Sequence, residues 1–364
     1  MKRQFVYELK RILLPLIVFT AVAAVVFVVA ALSTELVREY SDGTLHAINP
    51  LTPVPASILG VLCYIVPVLQ FSYRMKTRSA DLWYSLPVKR GALLLQRLLA
   101  GLLLVFVPYA VSFAAGVAVI AFRDNLFVMG YYAGYFAALI PAGLALFGIN
   151  CFLFTSASTI IDGIVFELGS MALLLMPFWW LDTLIPYYAP DALKGLQYHF
   201  LTDKPLDEIG SAFASAILGD GIDLKDVSAL TCAVAGVEGA AAYFGLFWTA
   251  ARHKTETIEQ PSDSPFGYRL MIPLYVFCFA AVFSANGLAN AFDLITMPII
   301  FTCGLAAYFF YRRSFRLRLS DWLWLAGSFA AGIAIGLLGH YYLQPWIGGF
   351  WPEPPQQQWP ETIA

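Results

Sequence analysis

Two carboxylates stand where the surrounding sequence offers them no water. Glu238 sits about ten residues from either end of an apolar run over residues 228–249, which at about 1.5 Å rise per residue places it near the middle of a bilayer. Glu167 lies about eight residues into another such run. A carboxylate at that depth is costly, so it must be protonated, face a wet cavity or pair with another polar group. Glu238 and Glu167 are therefore candidates for lining a substrate pathway, set against the plainer role of a neutral structural hydrogen bond. Asp162 is close enough to the end of its run to be solvated. Other chemistry is missing by motif. His46, His199, His253 and His340 are scattered, and no Cys/His spacing suits zinc. There is no G-x-S-x-G or H-E-x-x-H pattern and no G-x-x-x-x-G-K-[ST] phosphate loop. Cys63, Cys151, Cys232, Cys278 and Cys303 occur singly within apolar runs and read as small buried residues. Catalytic, cofactor and metal sites are not expected, so the chain is not read as an enzyme.

The elements that carry these residues are set by composition. With 364 residues, 60% hydrophobic and 13% charged, and a mean hydropathy of +0.71, the chain lies outside the range of soluble domains. It reads as an all-α, polytopic helical bundle. The net charge of -2 says little, because the side on which Lys and Arg fall is what matters in a membrane protein.

In order along the chain, residues 1–11 place Lys2, Arg3, Lys10 and Arg11 around Phe5, Val6 and Leu9, the pattern of an interfacial helix. The run 12–32 exceeds a signal-peptide core of about 7–15 residues and is expected to be a retained span. After an acidic loop with Glu35, Glu39 and Asp42, further spans are expected at 53–73, 98–122, 131–154, from the polar link 155–159 to about 181, and 228–249. The stretch 182–227 is the longest polar one, rich in Asp, and is expected outside the membrane. A Ser/Pro-containing linker over 251–269 is followed by runs at 270–285, 294–311 and 322–343, the first two joined by an Asn/Gly turn. The tail 344–364 carries Trp346, Trp351 and Trp359 among prolines. This gives about nine spans. With the N-terminus in the cytoplasm, 17 of the 22 Lys and Arg residues fall inside and Arg38, Arg123, Lys194, Lys204 and Lys225 outside, as the positive-inside rule requires. Gly101, Ala115, Gly116, Gly143, Gly332 and Gly336 mark expected helix contacts.

The most charged stretch between two long apolar runs is 77–104, TRSADLWYSLPVKRGALLLQRLLAGLLL. Ser79, Leu82, Trp83 and Leu86 fall at i, i+3, i+4 and i+7, which predicts a short amphipathic helix capped by Ser79 and ended by Pro87. Lys89, Arg90 and Arg97 form a basic collar behind it. Ser79, Asp81, Ser85, Leu86, Pro87, Val88 and Arg90 make up an S-x-D-x-x-x-S-L-P-V-x-R pattern that resembles the first cytoplasmic loop of the permeases of type-two ABC exporters. The resemblance covers residues 1 to about 250 and implies a six-span permease core over 12–250. In it a coupling helix over 79–86 grips a separate ATPase, with Ser79, Asp81, Leu82, Trp83, Ser85, Leu86, Pro87 and Arg90 as the coupling residues. It also implies a loop outside the cell over 182–227 and a second permease subunit, identical or related. ATP would be bound by the partner subunit and no cofactor by this chain, and besides these subunits the chain would meet membrane lipid but no nucleic acid. The location implied is the cytoplasmic membrane, and the activity is transport of a substrate, outward. The spans at 270–343 exceed the family's usual six. An ion-coupled secondary transporter or a membrane-embedded enzyme using Glu238 and Glu167 is the reading from another class, although no internal repeat of the kind secondary transporters show is present.

Overall fold

The computed structural model describes residues 2–34, 37–39, 45–47, 51, 53–79, 85, 89–123, 128–184, 229–252, 267–285, 287–288 and 291–343. Among these residues the chain forms nine α-helices: α1 Lys2–Ser33, α2 Pro53–Phe71, α3 Arg90–Arg123, α4 Met129–Ser156, α5 Ile160–Leu184, α6 Ala229–Arg252, α7 Tyr268–Ser284, α8 Ala291–Arg312 and α9 Leu319–Leu338. A 3-10 turn, Ser72–Met75, extends α2, and a π-helical turn, Gly339–Leu343, extends α9. The acidic loop after α1 contains a feature not expected from the sequence, an antiparallel strand pair β1 Val37–Glu39 and β2 Leu45–Ala47, with Arg38 opposite His46.

Among the described residues six helical segments are long and apolar enough to cross a membrane: Val6–Ser33, Pro53–Met75, Arg90–Arg123, Met129–Ser156, Ala291–Arg312 and Leu319–Leu343. The chain is a helical membrane protein. The remaining helices α5, α6 and α7 stand where the other expected spans were placed, and α7 is short at 17 residues. The expected interfacial helix and first span run together as the single helix α1. No Gly or Pro occurs from Lys2 to Leu14, and Pro15 lies inside α1 without ending it.

The chain divides into two compact units, Met1–Leu168 with Glu208–Gly267, and Gly169–Asp207 with Tyr268–Ala364. In the first, α1 packs along α3, α2 lies against α3 and α4, and α4 lies against α6. The spacing of small and large residues explains this packing. Among the described residues Glu8, Ile12, Ala23, Phe27 and Ala31 are the buried positions of α1, and their steps of four and eleven residues keep them on one face of the helix. Leu13, Ile17, Val22, Val26 and Val29 on the opposite side of α1 are exposed apolar surface. Such a surface is untenable in water and natural in lipid. Gly116 of α3 lets the Phe27 ring approach so closely that a Cβ there would collide with it. Phe113 then meets Phe27 edge-on at 6.3 Å and Phe136 at 5.1 Å, and Tyr109 donates to the Phe136 carbonyl at 3.2 Å. Gly101 and Gly143 give the same access to Phe147 and Leu59.

In the second unit α7 packs against α8 and α9 around Ile272, Val276, Met297, Ile300, Tyr308, Tyr311 and Leu325. Gly332 and Gly336 bring α9 onto the backbone of α7, where Phe277, Ala281 and Ser284 would meet any added Cβ. The turn from α8 to α9 is stapled by Arg312, whose Nη2 donates to Asp321 Oδ1 at 2.7 Å and whose Nε donates to Oδ2 at 3.0 Å. Asp321 also accepts the Arg318 backbone N–H at 3.2 Å and so caps α9.

Candidate functional site

The stretch expected to grip an ATPase springs from a junction of three helix ends. The start of α1, the end of α2 and the start of α3 converge there on Arg97, one of the largest fully buried side chains in the protein. Its Nη2 lies 3.2 Å from Glu8 Oε1, and both side chains are wholly shut off from solvent. The two atoms are near enough to attract but not aligned for a hydrogen bond. The directed bond runs instead from Arg97 Nη1 to the Gln70 carbonyl at 3.1 Å, at the end of α2. The guanidinium also covers the Tyr73 ring at 4.1 Å, a cation–π contact with the 3-10 turn. Arg11, four-tenths exposed, approaches Glu8 from the outer side at 3.5 Å.

A carboxylate inserted among apolar helices is expensive unless paired, and so is a guanidinium. Glu8 and Arg97 offset each other's desolvation, and together they fix where α1 sits along α3. The sequence placed Arg97 in a basic collar with Lys89 and Arg90; the structure corrects this, because Arg97 is buried with Leu93, Leu94, Leu98 and Gly101 while Lys89 and Arg90 are exposed. Arg74, at the end of α2, is a second buried arginine. It is only 4% exposed, and among the described residues its Nη1 and Nη2 have no hydrogen-bond partner. Gln96 Oε1 is likewise buried without one.

Of the expected coupling residues, Ser79 is helical together with 77 and 78, its N–H donating to the Lys76 carbonyl at 3.1 Å. Ser85 and Arg90 are described and exposed. Asp81, Leu82, Trp83, Leu86, Pro87 and Val88 lie outside the described residues. So do most of the acidic stretch 182–227 and of the linker, and all of the tail.

Deeper in the first unit is a second polar group. Asn150 of α4 donates to the Cys63 carbonyl of α2 at 3.0 Å, and Tyr64 of α2 is hydrogen-bonded to the Asn150 side chain. Cys63 Sγ contacts the Gly143 carbonyl at 3.5 Å. Glu167 of α5 is 2% exposed and electrostatically coupled to Tyr64 and Cys151. Tyr243 of α6 donates to the Leu144 carbonyl at 2.9 Å and its ring lies over Gly148. The structure thus gives Glu167 a polar neighbourhood, which the sequence did not reveal. Glu238 is different: it is half-buried on α6, between exposed Val237 and buried Gly239, the latter pressed against the α4 backbone at Ala145.

Asp162, expected to be solvated, is instead buried at the first turn of α5, where its N–H donates to Thr159 Oγ1 at 3.2 Å. His340 packs against Gly287 and Tyr341 in the second unit. Among the described residues no three His, Cys, Asp or Glu side chains gather as metal ligands. Cys63, Cys151 and Cys278 are buried as expected; Cys303 is exposed, on a face of α8 that also shows Ile295 and Ile299. The residues that sequence reasoning passed over are Glu8, Gln70, Arg74, Gln96 and Asn150. Their signal was present, since each is a polar residue within or beside an apolar helix.

Comparison with family models, with curated proteins and with solved structures finds no match.

Proposed function

We propose that this chain is the membrane-spanning permease subunit of a type-two ABC exporter, moving a substrate outward across the cytoplasmic membrane with ATP hydrolysed by a separate subunit. The observation that carries the reading is the brace beneath the coupling segment. The stretch 76–89 leaves one helix end and enters another, and both ends are held by Arg97: through the Gln70 carbonyl and the Tyr73 ring on one side, and through its own helix on the other. The same guanidinium holds Glu8 of α1. A push on 76–89 is therefore delivered to three helices at once. An apolar stripe of Leu82, Trp83 and Leu86 is the natural grip for a partner that supplies that push.

In this reading the N-terminus is cytoplasmic, about nine spans cross the membrane, and α7 to α9 are accessory to a six-span core. Two permease subunits, identical or related, form the pathway. Purification of the tagged chain from its native membrane, with assay of ATPase activity and identification of any phosphate-loop protein that accompanies it, tests the proposal. Absence of any such protein from a preparation that transports in reconstituted vesicles counts against it.

A second reading rests on Glu167. Its carboxyl, buried with Tyr64, Asn150 and Cys151 in the middle of helices α2, α4 and α5, is suited to carrying a proton in an ion-coupled transporter. Glu238, half-buried on α6, is the other residue such a mechanism would use.

A further inference from the structure

Among the described residues two buried arginines stand at the same end of the first unit, and one of them, Arg74, has no counter-charge there. Arg97 has Glu8, the Gln70 carbonyl and the Tyr73 ring. Arg74, the residue after Tyr73, is 4% exposed and has no hydrogen-bond partner at either terminal nitrogen among the described residues. Glu8 is the carboxylate of this junction, and it is already shared between Arg97 and Arg11. A guanidinium is always charged, and a buried one without an acceptor costs several kcal/mol, roughly the penalty of stranding an ion out of water. An anion from outside the chain is the way to lift that cost.

The surroundings say what kind of anion. Val61, Ile65 and Leu69 form an exposed stripe along α2 at four-residue steps, leading toward the 3-10 turn that carries Arg74. Leu95, Leu99 and Leu103 form a second exposed stripe on α3, beginning at the level of Arg97. Lys76 and Arg78, immediately beyond Arg74, are exposed. Exposed apolar stripes on two helices of the junction, a buried guanidinium on the turn that follows one of them and a basic rim beyond it come in the order of groups in a phospholipid: acyl chains, then phosphate, then a head at the membrane surface. An acidic side chain of a protein would also satisfy Arg74, and the experiment below separates it from a lipid.

We infer that Arg74 binds the phosphate of an anionic phospholipid whose acyl chains lie along the exposed stripes of α2 and α3. The site depends on the membrane setting of the helices and not on an ATPase partner, so its test leaves the permease reading untouched. The bidentate fork of Arg74 supplies two parallel N–H donors to the phosphate oxygens, as guanidinium groups do elsewhere. Bound lipid completes the junction from which the coupling stretch emerges.

The whole chain, purified in neutral detergent, is titrated by native mass spectrometry with phosphatidylglycerol, with diacylglycerol of the same chains, and with inorganic phosphate. The wild type is expected to take up one phosphatidylglycerol about tenfold more tightly than diacylglycerol, the factor expected of charge-assisted hydrogen bonds to one group. Arg74→Gln should lower phosphatidylglycerol to the diacylglycerol level, and the exposed control Arg78→Gln should not. Equal binding by Arg74→Gln and wild type would overturn the site and would point to a protein carboxylate as the acceptor. Inorganic phosphate that competes at concentrations matching the lipid would overturn the lipid as its source. Thermal unfolding without lipid keeps the test sound where folding is at issue. Arg74→Gln should be no less stable than the wild type, because it removes an unpaired buried charge, and phosphatidylglycerol should stabilise only the wild type. A variant markedly less stable without lipid would mean that Arg74 already has a protein partner, which contradicts the proposal.

Discussion

Arg97 of α3 and Glu8 of α1 lie 3.2 Å apart with both side chains fully buried, at the point where the first, second and third helices of the chain converge. This pair decides how α1 is seated. Much of the described surface of α1 is exposed and apolar, and it is held to α3 by this pair, by one face of small and aromatic residues and, at its far end, by Arg123, which donates to the Ala31 carbonyl.

Removing one member of the pair should therefore be worse than removing both. Glu8→Gln leaves the Arg97 charge buried and uncompensated, with an expected loss of about 3 kcal/mol or more. Glu8→Met combined with Arg97→Met should recover most of that loss, because two apolar side chains carry no desolvation cost. Unfolding of the purified variants in detergent, read as a double-mutant cycle, measures the coupling. Additive losses would show that the two residues act independently.

Close approach of α1 to α3 depends on the absence of a side chain at Gly116. Gly116→Ala should push Phe27 off its seat and destabilise the protein by about 1 to 3 kcal/mol, the usual cost of overpacking. Gly130→Ala, at an open position at the start of α4, should change stability by no more than about 0.5 kcal/mol or raise it slightly. Equal effects at the two positions would contradict the packing described for α1.

How much of this was legible beforehand follows from which signals are local. Helix positions came from long apolar runs, and α2, α4, α7, α8 and α9 lie where those runs predicted. Gly101, Gly116, Gly143, Gly332 and Gly336 were also readable, since a small residue in an apolar helix has few other uses. Arg97 was misplaced, because a cation near a run's end looks like part of a flanking collar; only the three-helix junction shows that it turns inward. Glu8 was hidden in the same way among four basic neighbours. The polar surroundings of Glu167 were not legible, since Tyr64 and Asn150 come from other helices and no spacing links them. Gln70 contributes a backbone carbonyl, which no sequence pattern marks.

The orientation proposed from the distribution of Lys and Arg is open to direct labelling. Single cysteines at Lys76, Ser262 and Arg316 should be shielded from an impermeant thiol reagent added to intact cells, and those at Ser41 and Asp207 should react. Cys303, exposed on an apolar face of α8, is first replaced by Ser so that it does not contribute. Labelling at Ser262 would overturn the assignment of the linker to the cytoplasm.

The two membrane carboxylates separate the readings of function. Glu167→Gln and Glu238→Gln keep size and hydrogen-bonding capacity and remove the charge. In a permease driven by a separate ATPase, transport by the Glu167 variant should persist within about twofold if the group is a neutral hydrogen-bonding one, since such a substitution costs well under about 1 kcal/mol. Loss of transport with intact insertion, together with dependence of the wild type on a proton gradient, would favour the ion-coupled reading.

The central claim is that the stretch 79–86 is gripped by a separate ATPase, and partner capture tests it most directly. The tagged chain is isolated in detergent as wild type, Trp83→Ala, Leu82→Asp and, as a control away from the stripe, Glu256→Gln. If the Leu82, Trp83 and Leu86 stripe is the grip, Trp83→Ala should weaken assembly by about 2 kcal/mol or more, as loss of a buried aromatic anchor does. Leu82→Asp should also uncouple ATP hydrolysis from transport, and Glu256→Gln should retain the ATPase at the wild-type yield. Retention of the ATPase at that yield by both Trp83→Ala and Leu82→Asp would contradict the account and leave the stripe resting on the membrane surface.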